Sequence, residues 1–111
     1  REVVAQAARL RPDIAWIDKG FWIHPSTVRS LRDLGVFTVH HFTDAYFPRR
    51  MRPYWEFAIL RKALPLFDFN LTANIDDHEW MVRLGMRAEL TGLGYNHHMF
   101  HNRPLPPELA L

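Results

Sequence analysis

The densest chemistry in this chain lies in Val36–Asp44, VFTVHHFTD. An apolar run stops abruptly in His40, His41, Thr43 and Asp44. Such a stop reads as the carboxyl end of a buried parallel strand, the end that opens onto the ligand crevice of an open α/β sheet. An imidazole there can exchange a hydrogen bond or a proton with a hydroxyl near neutral pH, and a carboxylate can accept from one. Side chains alternate along a strand, so His40 and His41 belong to opposite faces. One lines the crevice; the other sits in the core or on the surface. Trp22, Phe42, Tyr46 and Phe47 supply rings that could stack on a sugar. Asp18-Lys19-Gly20 forms a second candidate crevice loop, because charge and a glycine follow the apolar run Ile14–Ile17.

Other reactive residues carry less. His97 and His98 point apart in most backbones, and with His101 they have no acidic or Cys partner nearby, so no metal site is expected. The only serines, Ser26 and Ser30, fall on a surface helix. Nucleophile elbow, P-loop and dinucleotide fingerprint are all missing from the sequence, and no cofactor is expected. Arg49, Arg50 and Arg52 crowd a loop over Phe42–Arg52, either as a solvated stretch or as a contact for an anionic substrate.

The elements that must position these groups follow from apolar spacing and breakers. Glu2–Leu10 reads as a helix with Val3, Val4, Ala7 and Leu10 on one side. Pro12 breaks it and biases Arg11 toward extended geometry. Ile14–Ile17 is a short run suited to a buried parallel strand. A helix opens at Pro25 or Ser26 and stops at Gly35, with Val28, Leu31 and Leu34 inward. Val36–Val39 is the second strand. A helix from Pro53 through Leu64 ends near Pro65, and Phe67–Thr72 is the third strand. Asn74 caps a helix whose first turn holds Asp76 and Asp77, with Trp80, Met81 and Leu84 as its buried stripe. Ala88–Gly92 is the fourth strand. Strand starts 20 to 32 residues apart leave room for a crossover helix each time. The expected fold class is therefore α/β, a Rossmann-like three-layer α/β/α arrangement around a parallel sheet of about four strands.

Composition bounds the rest. The chain has 111 residues, 48% of them hydrophobic and 14% aromatic, enough for one packed domain. Net charge is only +2, without the clustered basic face of a nucleic-acid binder. There is no Cys, so disulfides are excluded. No apolar run approaches the ~20 residues of a membrane span and no signal-peptide pattern stands out, so a cytoplasmic location is the expectation. The chain opens on Arg1 rather than Met and reads as a piece of something longer.

The motifs, taken in order, resemble those of a known family. LRPDIAWIDKG resembles the "kPDlvl…kg" strand of GT-B-type glycosyltransferases, particularly the spore-maturation-protein (CgeB-like) group. HPSTVRSLRDLG resembles the helix that follows it there. VFTVHHFTD is similar to that group's strand ending in "tD" and to the "vvvtvHd" pattern of group 1 glycosyltransferases. FDFNLTANIDDHEWMVRLG and LGYNHHMFHNRP resemble the later strand-helix unit and the segment before the crossing into a second domain. The likeness runs over roughly Leu10–Pro104.

The resemblance implies the acceptor-side half of a cleft between two Rossmann-like domains. Residues 1–103 would belong to the N-terminal domain, and 104–111 to a Pro-rich linker toward a C-terminal domain. The implied partners are a nucleotide-sugar donor, an unknown acceptor (glycan, protein or small molecule) and that second domain. His41, His40 and Asp44 take the catalytic places; Lys19, Gly20, Thr43 and Asn96 line the substrate. Asn96 stands where many members carry Asp, and Ala45 follows Asp44 where they carry a second acid. Without a donor-binding domain, this piece is expected to be inactive alone. A non-catalytic Rossmann-like ligand-binding or interaction module is the alternative, and a flavodoxin-like or receiver-type domain the third.

Overall fold

The computed structural model describes residues 2–44 and 57–92. In chain order they form α1 (Glu2–Leu10), β1 (Ile14–Asp18), α2 (Pro25–Asp33), β2 (Phe37–Phe42), α3 (Ala58–Ala63), a 3-10 turn (Leu64–Leu66), β3 (Phe69–Thr72), α4 (Ile75–Arg83) and β4 (Ala88–Leu90). The fold is α/β and Rossmann-like. The four described strands are all parallel and lie in the order β1-β2-β3-β4.

Local chemistry sets the boundaries. α2 starts on Pro25, whose missing N–H costs nothing in a first turn, and His24 caps it by accepting from the Ser26 N–H. α4 is capped by Asn74, whose side chain accepts from the Asp77 N–H, as expected from sequence. Leu34 and Leu84 sit at the two C-caps and are exposed, not inward as apolar spacing implied. The turn beyond each ends at a glycine of positive φ, which carries the chain off the helix axis. Arg11 also departs from expectation. Pro12 denies it the right-handed helical region, but it leaves α1 at φ 47 rather than extended, and its N–H bonds the Ala7 carbonyl at 2.8 Å.

Register assigns the faces. Ile17, His40 and Asn70 are neighbours across the sheet, as are Ala15 and Thr38, so these point one way together with Phe42, Thr72 and Ala88. Trp16 and Val39, and Asp18 and His41, point the other way with Ile14, Phe37, Phe69 and Leu71. All three buried clusters lie on the first face. Ala7, Leu31 and Val36 pack at the β1 end; Val28, Ala63 and Phe67 in the middle; Phe42, Phe57, Leu60, Leu64, Met81 and Ala88 toward β4. Each fully buried Phe or Leu here stabilises the fold by roughly 1.5–3 kcal/mol. Crossovers of constant hand, stepping in a constant direction, put every connecting helix on one side.

On the second face Ile14 and Trp16 are 58% and 57% exposed, so β1 is not the doubly buried strand its apolar run implied. Among the described residues it is a sheet edge. β2 differs too: it does not stop at Val39 but continues through His40, His41 and Phe42. Ala88–Leu90 and Phe69–Thr72 are shorter than the runs that announced them.

At the amino ends of the strands a polar latch joins three elements. Asp68 accepts from the Thr38 N–H and hydroxyl, both at 2.9 Å, and pairs with Arg32 of α2 at 3.0 Å. Among the described residues no helix is long and apolar enough to cross a membrane.

Candidate functional site

The carboxyl ends of β1 and β2 carry the site. Parallel pairing sets Asp18 beside His41, on the sheet face away from the buried clusters. There the Asp18 carboxylate Oδ1 lies 2.9 Å from His41 Nδ1. A carboxylate accepts, so Nδ1 carries a proton, and whenever the ring is neutral its lone pair lies on Nε2. Two residues back along β1, on the same face, the Trp16 ring sits 5.3 Å from the His41 ring, tilted by 42°. A carboxylate-oriented imidazole beside an exposed indole can accept a proton from a hydroxyl while the indole stacks on an apolar ring face.

His40 faces the other way and is fully buried. Its Nε2 donates to the Lys19 carbonyl at 3.2 Å, and its ring lies 5.2 Å from Phe67. Burial pushes its pKa down to about 4, against the opposing pull of the Lys19 carbonyl. It is therefore a neutral core residue at physiological pH, and of the two rings the one that reaches the surface is that of His41, 21% exposed. For the catalytic place expected of His40, the structure shows a ring with no exposed surface and an Nε2 bonded to the Lys19 carbonyl.

Lys19 and Gly20 form the turn that ends β1. Both take the left-handed conformation, at φ 63 and 59. The turn is closed by Lys19 N–H to the His41 carbonyl and Gly20 N–H to the Asp18 carbonyl, each at 2.8 Å. A Cβ on Gly20 would come within 2.8 Å of Ile17 Cγ2. Lys19 is exposed at the rim.

Thr43 and Asp44 follow the end of β2; Thr43 is half-buried and Asp44 exposed in a bend. Among the described residues the acid that bonds His41 is Asp18. Asn96, His97, His98, His101, Tyr46, Phe47 and the Arg49–Arg52 run lie outside the described residues. Among the aromatic candidates, Phe42 is no platform. It is fully buried, edge-on to Phe21 at 5.2 Å. Trp22, 76% exposed, remains one.

Sequence reasoning missed Trp16 as a site residue and named Asp18 only as part of a loop. The available signal was alternation: Trp16 and Asp18 share a face, as do Val39 and His41. Only the β1–β2 register joins the two pairs. Among the described residues no group of three or more His, Asp or Glu is placed to hold a metal ion. No protein-family model matches the chain, and no curated protein matches it.

Proposed function

We propose that this chain is the acceptor-side part of a GT-B-type glycosyltransferase, which moves a sugar from a nucleotide-sugar donor to an acceptor hydroxyl. The observation that carries the reading is the Asp18–His41 pair, 2.9 Å apart at adjacent parallel strand ends and flanked by Trp16. The ordered series of sequence motifs supports it. In this reading the acceptor hydroxyl gives its proton to His41 Nε2. Its oxygen bonds the anomeric carbon, and the bond from that carbon to the diphosphate oxygen breaks. Asp18 holds the ring and offsets the imidazolium charge. Lys19 and Thr43 stand at the rim, and a second domain supplies the donor site.

The test is a transfer assay on the full-length protein that contains this chain, across UDP-, GDP- and TDP-sugars. Folded His41→Ala is expected to lose about 100-fold or more in kcat. Turnover with no donor would overturn the reading. Unchanged turnover in His41→Ala would keep the enzyme and discard the site.

The alternative, a non-catalytic interaction module, draws on a different observation: the apolar residues Ile14, Trp16 and Phe37 on the open sheet face. Tight ligand or protein binding without turnover would favour it.

A further inference from the structure

The Lys19–Gly20 turn is costly and therefore held. Lys19 is a non-glycine residue at φ 63, and L-residues avoid that region. Gly20 beside it repeats the left-handed conformation at φ 59. The two peptides flanking Lys19 are gripped by consecutive residues of β2. The peptide before it donates its N–H to the His41 carbonyl at 2.8 Å. The peptide after it accepts from His40 Nε2 at 3.2 Å. Asp18, whose carboxylate meets the His41 ring, is the residue immediately before this turn.

We infer that His40 is a positioning residue: by bonding the Lys19 carbonyl it fixes the left-handed turn and so holds the Asp18 carboxylate on His41 Nδ1. The two adjacent histidines divide one task. His41 meets the carboxylate on the open face, and His40 meets the main chain on the buried face. A histidine suits the second place for three reasons. Its ring is flat enough to lie beneath Gly20, where an added Cβ would stand 3.8 Å from His40 Cδ2. It packs against Phe67. Burial keeps it neutral, so it places no positive charge beside His41. Released from His40, Lys19 would relax toward negative φ. That rotation turns the Asp18–Lys19 peptide and withdraws the carboxylate from His41.

The inference rests on the reading that Asp18 and His41 are the working pair, but its test needs no turnover. Nitrogen-15 spectra of the histidine rings report which nitrogen carries the proton. In the unaltered chain the neutral form of His41 is expected as the Nδ1–H tautomer. His40→Leu fills the space without a donor, and the Nδ1–H to Nε2–H ratio of His41 is expected to fall about tenfold, the equivalent of one lost charge-assisted bond. His40→Gln restores a donor and is expected to recover most of the ratio. A folded His40→Leu with the unaltered His41 signature, or a His40→Gln that behaves like leucine, overturns the inference. In a Lys19→Gly background the left-handed turn carries no side-chain penalty, so His40→Leu is expected to fold there and to leave the ratio high. A low ratio in that double variant also overturns it. Absence of transfer in the unaltered full-length protein, with the His41 ratio responding to His40→Leu and His40→Gln as expected, would count against the catalytic reading and not against the role of His40.

Discussion

His40 and His41 are consecutive in β2, yet their rings serve opposite faces of the sheet. His40 is fully buried and donates to the Lys19 carbonyl; His41 pairs with the Asp18 carboxylate at 2.9 Å on the open face. Four predictions follow the geometry outward from this divided pair.

If Asp18 orients His41 as a base, its loss should cost rate more than affinity. Asp18→Ala is expected to lower kcat by about 10-fold to 1000-fold with KM little changed, because the ring loses its tautomer and orientation and not its place. Steady-state kinetics on the full-length protein decide this. A rise in KM at constant kcat would make Asp18 a binding group.

The buried ring makes stability depend on pH in a definite direction. The ordinary histidine value is 6.5, and burial lowers that of His40 to about 4. Between those values an unfolded chain binds a proton that the folded chain refuses. Protons therefore favour unfolding, and His40 removes stability as pH falls from about 6.5 toward 4. The full shift corresponds to roughly 3 kcal/mol. Urea melts of the unaltered chain and His40→Gln at several pH values should diverge over that window by about this amount. Parallel curves would show that the ring is not held neutral.

Gly20 and Gly35 both have positive φ, at 59 and 81, but differ in space. An alanine Cβ at Gly20 would press on Ile17 Cγ2 at 2.8 Å, whereas at Gly35 nothing lies within 4 Å. Gly35→Ala should cost about 1–2 kcal/mol for the backbone alone, and Gly20→Ala roughly 1–3 kcal/mol more for the clash. Chemical denaturation of the two variants compares them directly. Equal costs would mean that Ile17 yields freely.

At the opposite end of the strands, Asp68 should matter more than its cationic partner. Asp68→Ala strips the acceptor from the Thr38 N–H and hydroxyl as well as from Arg32, and is expected to cost about 2–4 kcal/mol. Arg32→Ala removes a half-exposed group and should cost under about 1 kcal/mol. Thermal melts of both variants test the ranking.

Much of the fold was legible from residue order. Alternating helix and strand signals gave the α/β class, and the Asn74 cap and the Pro25 start fell where local chemistry put them. Strand ends were harder to read. His40 and His41 look like the close of a strand, because polarity is the usual sign of solvent. In fact the backbone keeps pairing through them, and His40 is buried by contacts from β1 and Phe67 that no local window contains. The same limit hid the site. Asp44 is near the histidines in sequence, while Asp18 is near them only across the sheet. Strand pairing is a non-local choice, and the register that joins Trp16 to Val39 and Asp18 to His41 has no signature within either segment.

Strand order also bears on how the molecule is made. Space repeats sequence: Ile14 pairs with Phe37, Val39 with Phe69, and Asn70 with Ala88. Among the described strands, β2, β3 and β4 each add to the one synthesised just before, and none of the four waits for a partner distant in sequence. Loop-closure entropy is met in small successive steps. A nascent chain can thus extend its sheet one unit at a time as it leaves the ribosome. Among the described strands β1 is the template for those that follow, and the three-residue β4 is the last of them to join.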